Sequence, residues 1–153
     1  MHNKTAQQAY ASMVKVDLSP GFWARGWSGS GGRYQLPSDS HWVLVGLQKS
    51  AYSDLDEVRF AVNLSVVSRA AWEEIAKRPG RQAVPTPNTH PGSQGWWERL
   101  GMLASPDHRD LWWSVSMRSD LSEVAGSVLT AFDQFGVPWL RNACESAAPP
   151  PAE

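Results

Sequence analysis

Cysteine is nearly absent from this sequence: Cys144 is the single thiol in 153 residues. An internal disulfide is therefore excluded, and a cysteine-based zinc site would need at least one further thiolate. Neither sign of charge is in excess. Fourteen Lys and Arg stand against fifteen Asp and Glu, for a net charge of −1, so the chain lacks the broad attraction to phosphate backbones that a basic protein has. Its basic residues are scattered and form no aromatic-basic stripe, so a nucleic-acid partner is not expected. No apolar run nears the ~20 residues needed to span a bilayer. Met1-His2-Asn3-Lys4-Thr5 leads into no apolar segment. No membrane association and no signal peptide are expected, and the reading is cytoplasmic. Asn63-Leu64-Ser65 has the form of a glycosylation sequon, which carries no meaning in a cytoplasmic strand.

What is present is a globular balance, 42% hydrophobic against 19% charged residues, which suits a chain that buries a core. The length fits one domain, residues 1–146, followed by a Pro/Ala tail at 147–153 that is expected to be disordered. Nine tryptophans are spread from Trp23 to Trp139, two pairs of them adjacent, Trp96-Trp97 and Trp112-Trp113. Such rings are large core material. On a strand, however, neighbours point to opposite faces, so a Trp-Trp pair cannot put both rings into one core.

Along the chain, Ala6, Tyr10, Met13, Val14 and Leu18 recur at helical spacing, which predicts a helix over 4–18 stopped by Ser19-Pro20-Gly21. Residues 22–28 and 33–36 read as strands joined by the Gly29–Gly32 turn. His41–Lys49 reads as a central strand, apolar on both faces near its middle. Residues 58–67 alternate most clearly, with Val58, Phe60, Val62, Leu64 and Val66 on one face and Arg59, Ala61, Asn63, Ser65 and Val67 on the other. Ser68 caps a short helix to Lys77 carrying Trp72, Ile75 and Ala76. A Pro- and Gly-rich loop spans 79–95. Residues 96–104 and 111–117 read as strands, the second with Leu111, Trp113, Val115 and Met117 turned to the core. Asp120 and Glu123 form a capping box for a helix with the stripe Leu121, Val124, Ala125, Val128, Leu129 and Phe132. Gly136 ends that helix, and Pro138 opens a last short one with Trp139 and Leu140. The expected fold is an α+β two-layer sandwich: a mainly antiparallel sheet of about five or six strands with helices packed on one face.

Gly21-Phe22, the run from Trp42 to Gln48-Lys49-Ser50, Phe60-Ala61-Val62-Asn63-Leu64, Arg99-Leu100-Gly101 and Gly136-Val137-Pro138-Trp139-Leu140 follow one another in an order that resembles the bacterial family catalogued as domain of unknown function 4304. That resemblance implies a compact α+β domain. It carries no reaction and no catalytic residue with it.

No catalytic constellation stands out. The Gly29–Gly32 turn has no following Lys-Ser or Lys-Thr and no helix after it, so the phosphate-loop logic fails. His41, His90 and His108 lack ligand spacing, and Asp107-His108-Arg109-Asp110 reads as a solvated turn. Cys144 has no histidine near it in sequence to activate it. No cofactor is implied. The constellation that draws attention is the second face of the sheet. Strand parity puts Trp42 with Gly46 and Gln48, Arg59 with Asn63 and Ser65, and Trp112 with Ser114 and Ser116. Six of these, Trp42, Gln48, Arg59, Asn63, Trp112 and Ser114, are the candidate ligand-binding residues. A guanidinium pairs with carboxylate or phosphate, and indoles add contact area at low entropic cost. The expected function is a non-catalytic binding module for a protein or a small anionic ligand, acting as a monomer or weak homodimer. The alternative is a small enzyme whose site is assembled from dispersed residues such as Arg59, Asp107 and His108.

Overall fold

The computed structural model describes residues 5–146; the tail assigned to 147–153 lies outside them. The chain forms the expected α+β fold, an open antiparallel sheet of six strands with helices. The strands are β1 (Ser28–Ser30), β2 (Arg33–Leu36), β3 (His41–Lys49), β4 (Glu57–Ser68), β5 (Gly95–Arg99) and β6 (Trp113–Ser116). They run in the order β1-β2-β3-β4-β5, and β6 shares the outer edge of β4 with β5. β5 pairs with Asn63–Val67 and β6 with Glu57–Phe60, so the two short strands lie end to end along one long one.

The alternation in β4 produces a core face on which Val58, Phe60, Val62, Leu64 and Val66 are all fully buried. Two long helical stretches cover it. The first comprises α1 (Ala6–Met13), a π turn (Val14–Leu18) and α2 (Ser19–Ala24). The second comprises α5 (Leu121–Ala131), a π turn (Phe132–Gly136) and α6 (Val137–Glu145). Both helices start at side-chain caps: Thr5 in a reciprocal box with Gln8, and Asp120 accepting from the Glu123 amide. Such caps are worth ~1 kcal/mol each. Phe22, Trp27, Tyr34 and Phe132 interlock beneath them, with Phe22 stacked on Tyr34 at 4.5 Å and edge-on to Phe132 at 5.0 Å.

Neither long helix stops where the sequence predicts. The chain stays helical through Ser19-Pro20-Gly21 to Ala24, which also removes the strand expected at 22–28 and leaves only Ser28–Ser30 extended. It likewise stays helical through Gly136. In each helix a π turn precedes the proline, and the residue before the proline donates five residues back, Ser19 to Val14 and Val137 to Phe132. That wider turn relieves the clash a proline ring makes with the carbonyl one turn earlier. Gly21 serves packing: a Cβ there would collide with the Leu129 side chain of the other helix. The two helices are pinned at this crossing by Arg25, which donates to both Asp133 carboxylate oxygens at 2.7 and 2.8 Å and to the Gly21 carbonyl. The hairpin turn falls at Gly31-Gly32, both with positive φ, as a two-residue connection requires.

Three further readings change. Residues 96–104 divide into β5 and a short α4 (Leu100–Ala104). The strand expected at 111–117 is only Trp113–Ser116, and Leu111 and Met117, placed in the core by parity, are exposed. The second face of the sheet is also not open to water across its middle, where Asn63, Ser65 and Val67 are fully buried. α3 (Arg69–Ala76), capped by Ser68 as expected, leads into the Pro-rich loop, and that loop lies over this face. Among the described residues no helix is long and apolar enough to cross a membrane.

A guanidinium network on the second face of the sheet

Strand pairing decides which of the six candidate residues meet. Gln48 lies opposite Ala61, Asn63 opposite Arg99, and Arg59 opposite Ser114. All of these project from the second face, over one half of its length. Arg59 and Asn63 are four residues apart on β4, roughly 13 Å at the strand rise. Trp42 is not part of this group. It pairs with Val67 at the other end of the sheet, where the Arg69 guanidinium sits 3.8 Å above its ring.

The centre is a buried amide with every polar atom used. Asn63 donates from Nδ2 to Gln48 Oε1 at 2.9 Å and to Asn88 Oδ1 at 3.0 Å, and its Oδ1 accepts from Arg99 Nε at 3.3 Å. Asn88 comes from the loop and donates in turn to the Leu47 carbonyl at 3.3 Å. Gly46 makes room for this approach, since a Cβ there would strike Asn88 Oδ1 and lie 2.7 Å from Pro87 Cγ. Trp97 completes the seal by donating from its indole to the Pro87 carbonyl at 3.0 Å. Burying Asn63 is tolerable because it is fully bonded; an unpaired amide would cost several kcal/mol. Ser65, two residues along β4 on the same face and between Leu44 and Trp97, is the exception: its Oγ has no hydrogen-bond partner among the described residues.

Arg99 links the sealed centre to the surface. Its guanidinium lies 4.9 Å from the Trp112 ring centre and 5.7 Å from that of Trp97. Nη1 donates to Asp110 Oδ2, which also accepts from the Trp112 indole at 3.1 Å. The chain reaches this position by turning back after α4. Gly101 lets the Leu111 carbonyl come close enough that any Cβ would collide with it. The Arg99-Leu100-Gly101 run thus has three separate uses: Arg99 in the polar network, Leu100 fully buried in the core, and Gly101 beneath the returning turn.

Both tryptophan pairs divide between the two faces, Trp96-Trp97 by parity within β5 and Trp112-Trp113 across the start of β6. Trp96 and Trp113 pack against the core, while Trp97 and Trp112 flank Arg99 on the other side. Ser114 is exposed beside Arg59, and Arg59 makes no ion pair among the described residues. The residues that sequence reasoning missed are Arg99, Asn88, Trp97 and Asp110. Arg99 and Trp97 share strand parity, so the strand reading of 96–104 contained that signal. Asn88 lies in a loop without periodicity and gave none.

The other chemical candidates stay apart. Asp107, His108 and Arg109 are exposed in the turn, with Asp107 and Arg109 4.0 Å apart at about three-quarters exposure. Burial, and then the charge of Glu145, push the Cys144 thiol up from its ordinary value, the opposite of what a nucleophile needs. No cluster of three or more potential metal ligands occurs among the described residues.

A family model described as Domain of unknown function (DUF4304) matches residues 18–142. No curated protein and no solved structure matches the chain.

Proposed function

We propose that this chain, which belongs to the family described as domain of unknown function 4304, is a non-catalytic binding module that recognises an anionic group on the half of its second sheet face bounded by Gln48, Arg59 and Trp112. The group is a carboxylate or phosphate, carried by a protein or a small ligand, and the module acts as a monomer or weak homodimer. The observation behind this reading is the fixed guanidinium of Arg99, held by Asn63 and Asp110 between two indoles, with Arg59, which makes no ion pair among the described residues, and the Ser114 hydroxyl further along the same face. A cation whose position is already fixed loses little entropy when it meets an anion. Trp112 supplies an aromatic wall of the kind that dominates binding surfaces. Asp110 is the single carboxylate paired with Arg99 among the described residues, and it sits on a turn with its side chain 39% exposed.

The test is capture of partners from a native extract with the wild-type chain and with Arg59→Ala and Trp112→Ala, each checked for unchanged circular dichroism. The reading expects a partner that the wild type retains and both folded variants lose. Folded variants that retain the same partners as the wild type overturn it.

A further inference from the structure

We propose a second binding site, remote from the guanidinium network and independent of it: the groove between the first long helix and the β1–β2 turn takes a small aromatic carboxylate. The groove encloses about 580 Å³, within the range of small-molecule sites. Its walls are Tyr10, Ala11, Val14 and Trp23, and its cations are Lys15 and Lys49. No acidic residue lines it, and neither lysine makes an ion pair among the described residues. That charge pattern selects an anion.

The walls select the body that carries the anion. Trp23 is 51% exposed, yet its ring is not loose, because the indole N–H donates to the Gly29 carbonyl at 2.7 Å. An exposed indole held rigid by the hairpin offers a flat apolar face with little further ordering to undergo on binding. Tyr10, largely buried and packed edge-on against Phe60, lines the groove at its other end, and Lys49 Nζ is held over its ring at 5.7 Å while donating to Gln7 Oε1 at 3.2 Å. The Ser19 hydroxyl, which also lines the groove, is 2.6 Å from that of Tyr34 and is tied to it by a hydrogen bond. A planar ring lies on the exposed face of Trp23, and its carboxylate reaches Lys15 or Lys49.

The experiment is an NMR titration of the full chain with naphthalene-2-carboxylate and, separately, with naphthalene-2-carboxamide, following the Trp23 indole N–H assigned by comparison with Trp23→Phe. The expected result is a saturable shift of that signal with the carboxylate, and binding about ten-fold weaker with the amide. The double variant Lys15→Gln/Lys49→Gln should weaken the carboxylate by about the same factor and leave the amide unchanged; Arg59→Ala should change neither. The proposal is overturned by equal affinity for the two compounds, by no saturable Trp23 shift up to about 10 mM, or by shifts confined to Trp112. It is also overturned if the Trp23 signal changes with protein concentration alone, which would seat a second copy in the groove.

Discussion

Replacing Gly46 by alanine tests whether the Pro-rich loop really seals the second face. The added Cβ would lie 2.7 Å from Pro87 Cγ and against Asn88 Oδ1. To restore an ordinary 3.4 Å contact the loop must retreat by roughly 0.7 Å at Pro87 and by roughly 1 Å at Asn88. Strain of that kind in a packed site costs ~1–3 kcal/mol. The retreat also stretches the bonds from Asn63 to Asn88 and from Asn88 to the Leu47 carbonyl, each worth ~0.5–1.5 kcal/mol. Against this stands the gain of ~0.5–1 kcal/mol from removing a strand glycine. The net expectation is a loss of about 2 kcal/mol, or about 4–8 °C in Tm for a chain of this size. Urea and thermal unfolding measure it, and hydrogen exchange over 84–90 should show faster opening in the variant. An unchanged or raised Tm, together with unchanged exchange in that loop, would refute the reasoning.

Two further changes probe the interior and the helix crossing. Ser65→Ala removes a buried hydroxyl that has no partner among the described residues, and should stabilise the fold by about 1 kcal/mol in urea unfolding; a loss of that size would show that the hydroxyl is bonded after all. Asp133→Asn breaks the bidentate pair with Arg25 and should cost about 0.5 kcal/mol, given its 51% side-chain exposure. The hydrogen bond from Arg25 holds the Asp133 carboxyl below its usual range, so its stabilisation is complete above the unfolded value near 4 and is lost as pH falls through the folded one. The wild type and Asp133→Asn should therefore converge in stability as pH falls through the lowered folded-state value of Asp133, and a gap that stays constant down the acid limb of the stability profile would contradict this.

The sequence makes the sheet legible where burial is one-sided or complete. β3 has the bounds the apolar run predicts, and the core face of β4 follows from its alternation alone. Helix ends are misread at Pro20 and Gly136 because proline and glycine are read as stops, whereas a π turn absorbs the first and close packing explains the second. The second face is half legible. Parity brings Gln48, Asn63 and Trp112 together, and leaves Arg59 and Ser114 beside them. It gives no hint that the loop folds over the centre, because Asn88 and Pro87 lie in a stretch with no hydrophobic period. Trp42 is assigned to the right face but to the wrong end, since parity carries no information about distance along a strand.

An anion titration followed at the Arg99 Nε–H and Trp112 indole N–H resonances addresses the binding role most directly. With inorganic phosphate or acetate, saturable shifts at both positions and at the Ser114 amide, abolished in Arg59→Ala, are predicted. Shifts that stay linear with concentration, or that appear at Lys15 and Lys49 while Arg99 and Trp112 remain still, would contradict it.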